Sequence, residues 1–204
     1  HLPLRQVPHH WAHLAACMAD NRLEEPAFGL IWDGTGLGED GQIWGGECLV
    51  GDYHHYHRVG SLRPVLLPGG DACTTEIART ALALALDAGC PEAAPDFARR
   101  AGVTALLKSG YRCVPSSGMG RLFDGVYALL TGRAEANYDG QAPALLEALA
   151  EGAAPADLYL PAYYEEDGVR RFDTRPLIRA LCTARAAGTE VSALAAVFQQ
   201  ALCR

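Results

Sequence analysis

The sequence predicts an α/β fold in which a three-stranded antiparallel meander near the N-terminus is followed by a mainly helical region. Three observations predict it. Between Phe28 and Leu67, short apolar runs alternate with turn residues, the pattern of strands joined by short loops. From Ala72 onward the chain becomes rich in Ala and Leu at helical spacing. Half of the 204 residues are hydrophobic and a fifth are charged, a globular composition that excludes a mainly disordered chain.

Each element follows from a local pattern. Pro8 to Asn21 reads as a helix, because His9, Trp11, His13, Leu14, Cys17 and Met18 recur at helical spacing. Phe28–Trp32 is an apolar strand bounded by Asp33-Gly34, and Gly34 to Gly41 reads as a glycine-rich connecting loop. Ile43 to Tyr53 and His57 to Leu67 supply the second and third strands, and Pro68-Gly69-Gly70-Asp71 closes the meander. Helices are expected near 72–88, 94–108, 118–132, 140–151, 173–187 and 190–203. Tyr159 to Phe172, with Glu166-Asp167-Gly168 at its turn, suits a small hairpin.

Lys plus Arg is 17 and Asp plus Glu is 24, a net charge of −7. That balance argues against non-specific binding to nucleic acid or to an anionic membrane. No apolar run is long enough to span a bilayer. The seven cysteines are odd in number, widely spaced and without a C-x-x-C, so they read as reduced thiols of a cytoplasmic protein. None has a partner His nearby in sequence, and no catalytic cysteine is nominated.

His9 and His13 stand four residues apart, which on a helix places both imidazoles on one face, as two ligands of one metal require. The Glu of a zinc-protease H-E-x-x-H motif is replaced by His10, so that hydrolytic route lacks its base. Asp33, at the end of an apolar strand, offers a carboxylate, and two His with one carboxylate suit zinc or ferrous iron. An ordinary turn Asp is the plainer reading. Gly34, Thr35 and Gly36 could bring backbone N–H groups close to phosphate, although long hairpins favour glycine anyway.

Ser116-Ser117-Gly118-Met119-Gly120-Arg121 reads as a helix start with room for a ligand. Arg121 could meet phosphate and Asp124 ribose, but an intrahelical ion pair on a solvated surface explains both as simply. Asp139-Gly140 is a second turn-to-helix junction, where Asp139 could be a plain N-cap. His54, His55 and His57 read as surface histidines.

Taken in order, V-P-H-H-W-A-H-L-A-A-C, W-D-G-T-G-L-G-E-D-G-Q-I-W-G-G-E, L-R-P-V-L-L-P-G-G-D, S-S-G-M-G-R-L-F-D and Y-D-G-Q-A resemble the C-terminal carbamoyltransferase domain of the hydrogenase maturation factor HypF. The run from Trp32 to Glu47 is its most specific part. The resemblance implies an actin-like ATPase (ribonuclease H-like) fold, with 1–71 as the metal and phosphate-loop part and 72–204 as the helical, nucleotide-side part. It implies incomplete lobes, since strands before the His helix and a Ser-Gly-Gly-Val motif and metal-binding Asp after it belong to the family pattern. A chain of this extent is then expected not to complete transfer alone.

By the same resemblance, His9, His13 and Asp33 are metal ligands, and Gly34–Gly36, Gly118, Gly120, Arg121 and Asp124 line a nucleotide site. Asp139-Gly140 stands where the family usually has Glu-Gly. The implied reaction moves a carbamoyl group from carbamoyl adenylate, made from carbamoyl phosphate and ATP by a separate domain, to the C-terminal cysteine of HypE. The thiocarboxamide so formed supplies cyanide ligands for nickel–iron hydrogenase. An O-carbamoyltransferase or tRNA-modifying enzyme of the same superfamily, and a non-catalytic metal- or nucleotide-binding module, are the alternatives.

Overall fold

The computed structural model describes residues 6–158 and 162–203. Its first helix, α1 (His9–Asp20), starts where Pro8 ends the preceding extended backbone and accepts the Ala12 N–H at 2.9 Å. One face of α1 buries His10, Trp11, Leu14 and Met18. Leu14 and Met18 form a small core with Ile31 and Leu49 of the sheet. The Trp11 indole donates to the Asp52 carbonyl at 2.8 Å and stacks on Tyr56, which fixes the helix across the meander.

The expected meander is present as β1 (Ala27–Leu37), β2 (Ile43–Gly51) and β3 (Tyr56–Leu62), paired antiparallel in order. The segment expected to be a loop, Gly34–Gly36, is instead the last third of β1, and the turn lies at Gly38–Gln42. The β1–β2 register shifts between Trp32 and Gly36, so that Asp33, Gly34 and Thr35 together face Gly45. This bulge frees Asp33 from the ladder and turns it out of the strand.

The expected third strand is two. β3 stops at Leu62, and after Arg63-Pro64 the chain enters β4 (Val65–Pro68). Pro64 lacks the N–H a continuous ladder needs. β4 pairs antiparallel with β5 (Cys113–Ser116), a strand that the sequence did not reveal. The hairpin β6 (Tyr163–Glu166) and β7 (Val169–Phe172) turns through Asp167-Gly168 and adds β7 parallel to β3. Tyr159, the expected start of that hairpin, lies outside the described residues. The resulting sheet runs β4-β5-β2-β3-β7-β6, with β1 on the other edge of β2.

The helical part follows expectation, with two breaks. The segment 72–88 is α2 (Ala72–Thr75) and α3 (Ala78–Ala88). Of 94–108 only α4 (Arg100–Ser109) is α-helical, because Pro95 interrupts the helix after a 3-10 turn at Pro91–Ala93. Next come α5 (Met119–Thr131), α6 (Gln141–Ala150), α7 (Arg175–Ala186) and α8 (Val191–Leu202). They form the main core, in which Phe198 is fully buried and meets Phe123 edge-on at 4.9 Å. α5 is central: it packs on α3, α6, α7 and α8 and presents its N-terminus to β1 and β2. No described helix is long and apolar enough to cross a membrane.

Candidate metal centre and the adjoining helix start

The helix brings His9 and His13 to one face, with their Nε2 atoms 3.1 Å apart. The bulge in β1 brings Asp33 to the same point: its Oδ2 lies 2.8 Å from His9 Nε2 and 4.0 Å from His13 Nε2. One ligand atom from each residue falls within 4.8 Å of the others, and among the described residues no other group of His, Cys, Asp or Glu does so. All three side chains remain partly open to solvent. Burial pushes the Asp33 carboxyl up, but hydrogen bonds from His9 and from the Gly34 and Thr35 N–H groups outweigh it and hold it below its usual value.

Close approach explains the glycine at 36. A Cβ there would lie 2.5 Å from His10 and 2.6 Å from His9, so any side chain would push the rings off β1. His10 is buried behind the cluster, against Gly36 and 5.9 Å from Trp44. Desolvation lowers its pKa. Neither of its ring nitrogens has a hydrogen-bond partner among the described residues.

Gly34 faces α5 instead. A Cβ on Gly118, the residue before α5, would meet the Gly34 carbonyl oxygen at 2.4 Å, and one on Gly120 would meet the Gly34 Cα at 2.9 Å. The bulged strand and the start of α5 therefore touch backbone to backbone. The glycines expected to share one phosphate loop are divided: Gly34 packs on α5 and Gly36 on α1, with Thr35 exposed between them.

Arg121 and Asp124 form an ion pair at 3.1 Å, one helical turn apart, but both are buried rather than on a solvated surface. Arg121 Nη2 also donates to Asp139 Oδ1 at 2.6 Å, which ties the turn before α6 to α5. Burial raises the Asp124 pKa to about 7 against the opposing pull of Arg121, with Asp139 adding to the rise. Gly140 takes a left-handed conformation, φ 88°, and caps α6. His54, His55 and His57 are exposed, and all seven cysteines are free.

A family model described as the carbamoyltransferase, Kae1-like domain, second subdomain, matches residues 29–204. The chain belongs to this family. The carbamoyltransferase HypF of Rhizobium leguminosarum bv. viciae is 43% identical over 181 residues, covering 87% of this chain and 23% of that protein. The carbamoyltransferase HypF2 of Cupriavidus necator is 44% identical over 154 residues, covering 74% and 19%. A crystal structure of full-length HypF in its phosphate- and nucleotide-bound form superposes with a TM-score of 0.89 at 32% identity, over 98% of this chain and 27% of that one. HypF of T. kodakarensis superposes at 0.82 and 25% identity, over 100% and 28%. The chain thus spans between a fifth and rather more than a quarter of these HypF proteins. The actin-like, Kae1-like reading of the fold holds.

One buried group of this HypF subdomain escaped the sequence reading. Glu47, on β2, is fully buried, and its Oε2 accepts from Arg58 Nε at 2.6 Å. Its signal was a lone acid within an otherwise apolar strand, a residue type almost never buried unless paired.

Proposed function

We propose that this chain carries the metal-binding and part of the nucleotide-binding surface of a HypF-type carbamoyltransferase. The observation that carries the reading is the convergence of His9, His13 and Asp33 within 4.8 Å. Tetrahedral coordination at about 2.05 Å places ligand atoms about 3.3 Å apart. The separations of 2.8, 3.1 and 4.0 Å lie around that value, so small side-chain movements would bring the three into register. A single proton on His9 Nε2 can serve only one of its two neighbours, whereas a divalent cation serves all three ligands. Zinc and iron both suit this donor set.

Such a metal supplies Lewis acidity toward a phosphate oxygen of carbamoyl adenylate. Asp33 orients His9 and adds the negative charge that offsets a dication. The start of α5 offers backbone N–H groups toward the nucleotide side, where charge develops on the departing AMP, with the buried Arg121 guanidinium behind them. Asp124 and Asp139 hold the Arg121 guanidinium in place. The attacking thiolate is the C-terminal cysteine of the partner HypE; of the chain's own thiols, those of Cys48, Cys73, Cys90, Cys113 and Cys182 have their pKa values raised, chiefly by burial, which makes them poor nucleophiles. Carbamoyl phosphate and ATP enter through the adenylate-forming domain of the longer protein, in the cytoplasm.

The test supplies carbamoyl adenylate and zinc to this chain and to a longer HypF that contains it. The acceptors are a peptide ending in cysteine and an aminoglycoside. Transfer to the peptide by the longer protein, lost in Asp33→Ala, is the expected result. Transfer to the sugar hydroxyl alone would contradict the HypE reading.

A further inference from the structure

Glu47 is a buried acid placed where three backbones meet. Its Oε1 accepts from the N–H groups of Gly45 and Gly46, at 3.2 and 3.4 Å, and from the Ser117 hydroxyl. Its Oε2 accepts from Arg58 on β3. Ser117 lies two residues before α5, next to its capping Gly118, and its own N–H donates to the Ile43 carbonyl on β2 at 2.9 Å. Arg58 lies over the Trp44 ring, 4.0 Å from its centroid, and Trp44 backs His10. Gly45 allows no slack: a Cβ there would lie 2.4 Å from the Asp33 carbonyl oxygen and 2.9 Å from the Gly118 Cα.

We propose that Glu47 is a positioning residue that clamps the start of α5 to β2 and thereby fixes the spacing between the His9/His13/Asp33 cluster and the Gly118–Arg121 segment. The carboxylate has four donors from three elements, and removing a fully buried acceptor leaves each donor short of a partner. The cluster sits on the β1 bulge, the nucleotide segment sits on α5, and Glu47 holds the β2 backbone that touches both. Its structural part stands on the geometry alone. Its functional part, coupling of the two half-sites, rests on the proposed metal and nucleotide reading.

Hydrogen exchange followed by mass spectrometry tests the clamp on wild type, Glu47→Gln and Ser117→Ala. In Glu47→Gln the amide of Gln faces the Arg58 donor, so the link to β3 is lost along with the charge. Exchange is expected to quicken about tenfold or more in segments 32–37 and 116–122, with α8 at its wild-type rate. Ser117→Ala cuts only the link to α5 and is expected to quicken 116–122 alone. It also decides the matter if Glu47→Gln does not fold. A uniform rise that includes α8, or no rise in either segment, would overturn the clamp.

Cobalt(II) reports the coupling. In wild type, adding ADP is expected to shift the visible cobalt band; in Ser117→Ala the band is expected to persist without that shift. A shift of wild-type size in Ser117→Ala would overturn the coupling. A wild-type chain that binds no cobalt would defeat the metal reading instead, while the exchange rates still decide the clamp.

Discussion

Replacing Asp124 by Asn tests whether α5 holds a buried proton on Asp124. Asp124 is buried beside Arg121, and its pKa stands at about 7 against an ordinary value of 3.8. The folded chain therefore holds a proton on this carboxyl that the unfolded chain releases between about pH 4 and pH 7. Stability from this group is highest below the unfolded value, falls as pH rises through that window, and is level above about pH 7. About three pKa units correspond to at most about 4 kcal/mol. His10 works in the opposite sense: its lowered pKa makes stability rise with pH as it approaches 6.5. Wild type alone would thus mix the two slopes, and the difference between wild type and Asp124→Asn isolates the carboxyl. Arg121 keeps Asp139 in the variant. Urea unfolding at about pH 5 and about pH 8 gives the two differences. Wild type is expected to lose stability relative to Asp124→Asn by about 2–3 kcal/mol between those values. A gap that stays constant, or that widens in favour of wild type, would refute the account of Asp124.

Three further outcomes follow from packing and hydrogen bonding. Gly118→Ala places a methyl 2.4 Å from the Gly34 carbonyl oxygen, and should cost about 1–3 kcal/mol, read as a lower urea midpoint. Phe198→Ala empties the centre of the helical core and should cost about 3–5 kcal/mol. Trp11→Phe removes the indole bond to the Asp52 carbonyl and should cost about 1 kcal/mol, which thermal unfolding would register as a fall of a few degrees.

The meander and helices α5–α8 were legible because each is local: strands bounded by turn residues, and apolar residues at helical spacing. β5 was not. Cys113–Ser116 is four residues long, contains a Pro, and is a strand only because β4, some fifty residues earlier, lies beside it. From sequence, the glycines at 34 and 36 suggest a loop, because glycine favours turns. Here they serve close approach within a strand, one to the α5 backbone and one to two imidazole rings. Spacing alone put His9 and His13 on one face. It could not bring Asp33 to them, since that depends on the register shift opposite Gly45. Spacing places Arg121 and Asp124 on one helix face, but their burial depends on α3, α6 and the bulged strand closing over them.

The most direct test of the central claim is elemental analysis of the purified chain beside His9→Ala, His13→Ala and Asp33→Ala, after equilibration with zinc and with ferrous iron and removal of excess metal. The account predicts about one equivalent in wild type and a marked loss in all three variants, as expected when three residues share one ion. Metal retained undiminished in the variants, or none bound by wild type, would contradict it.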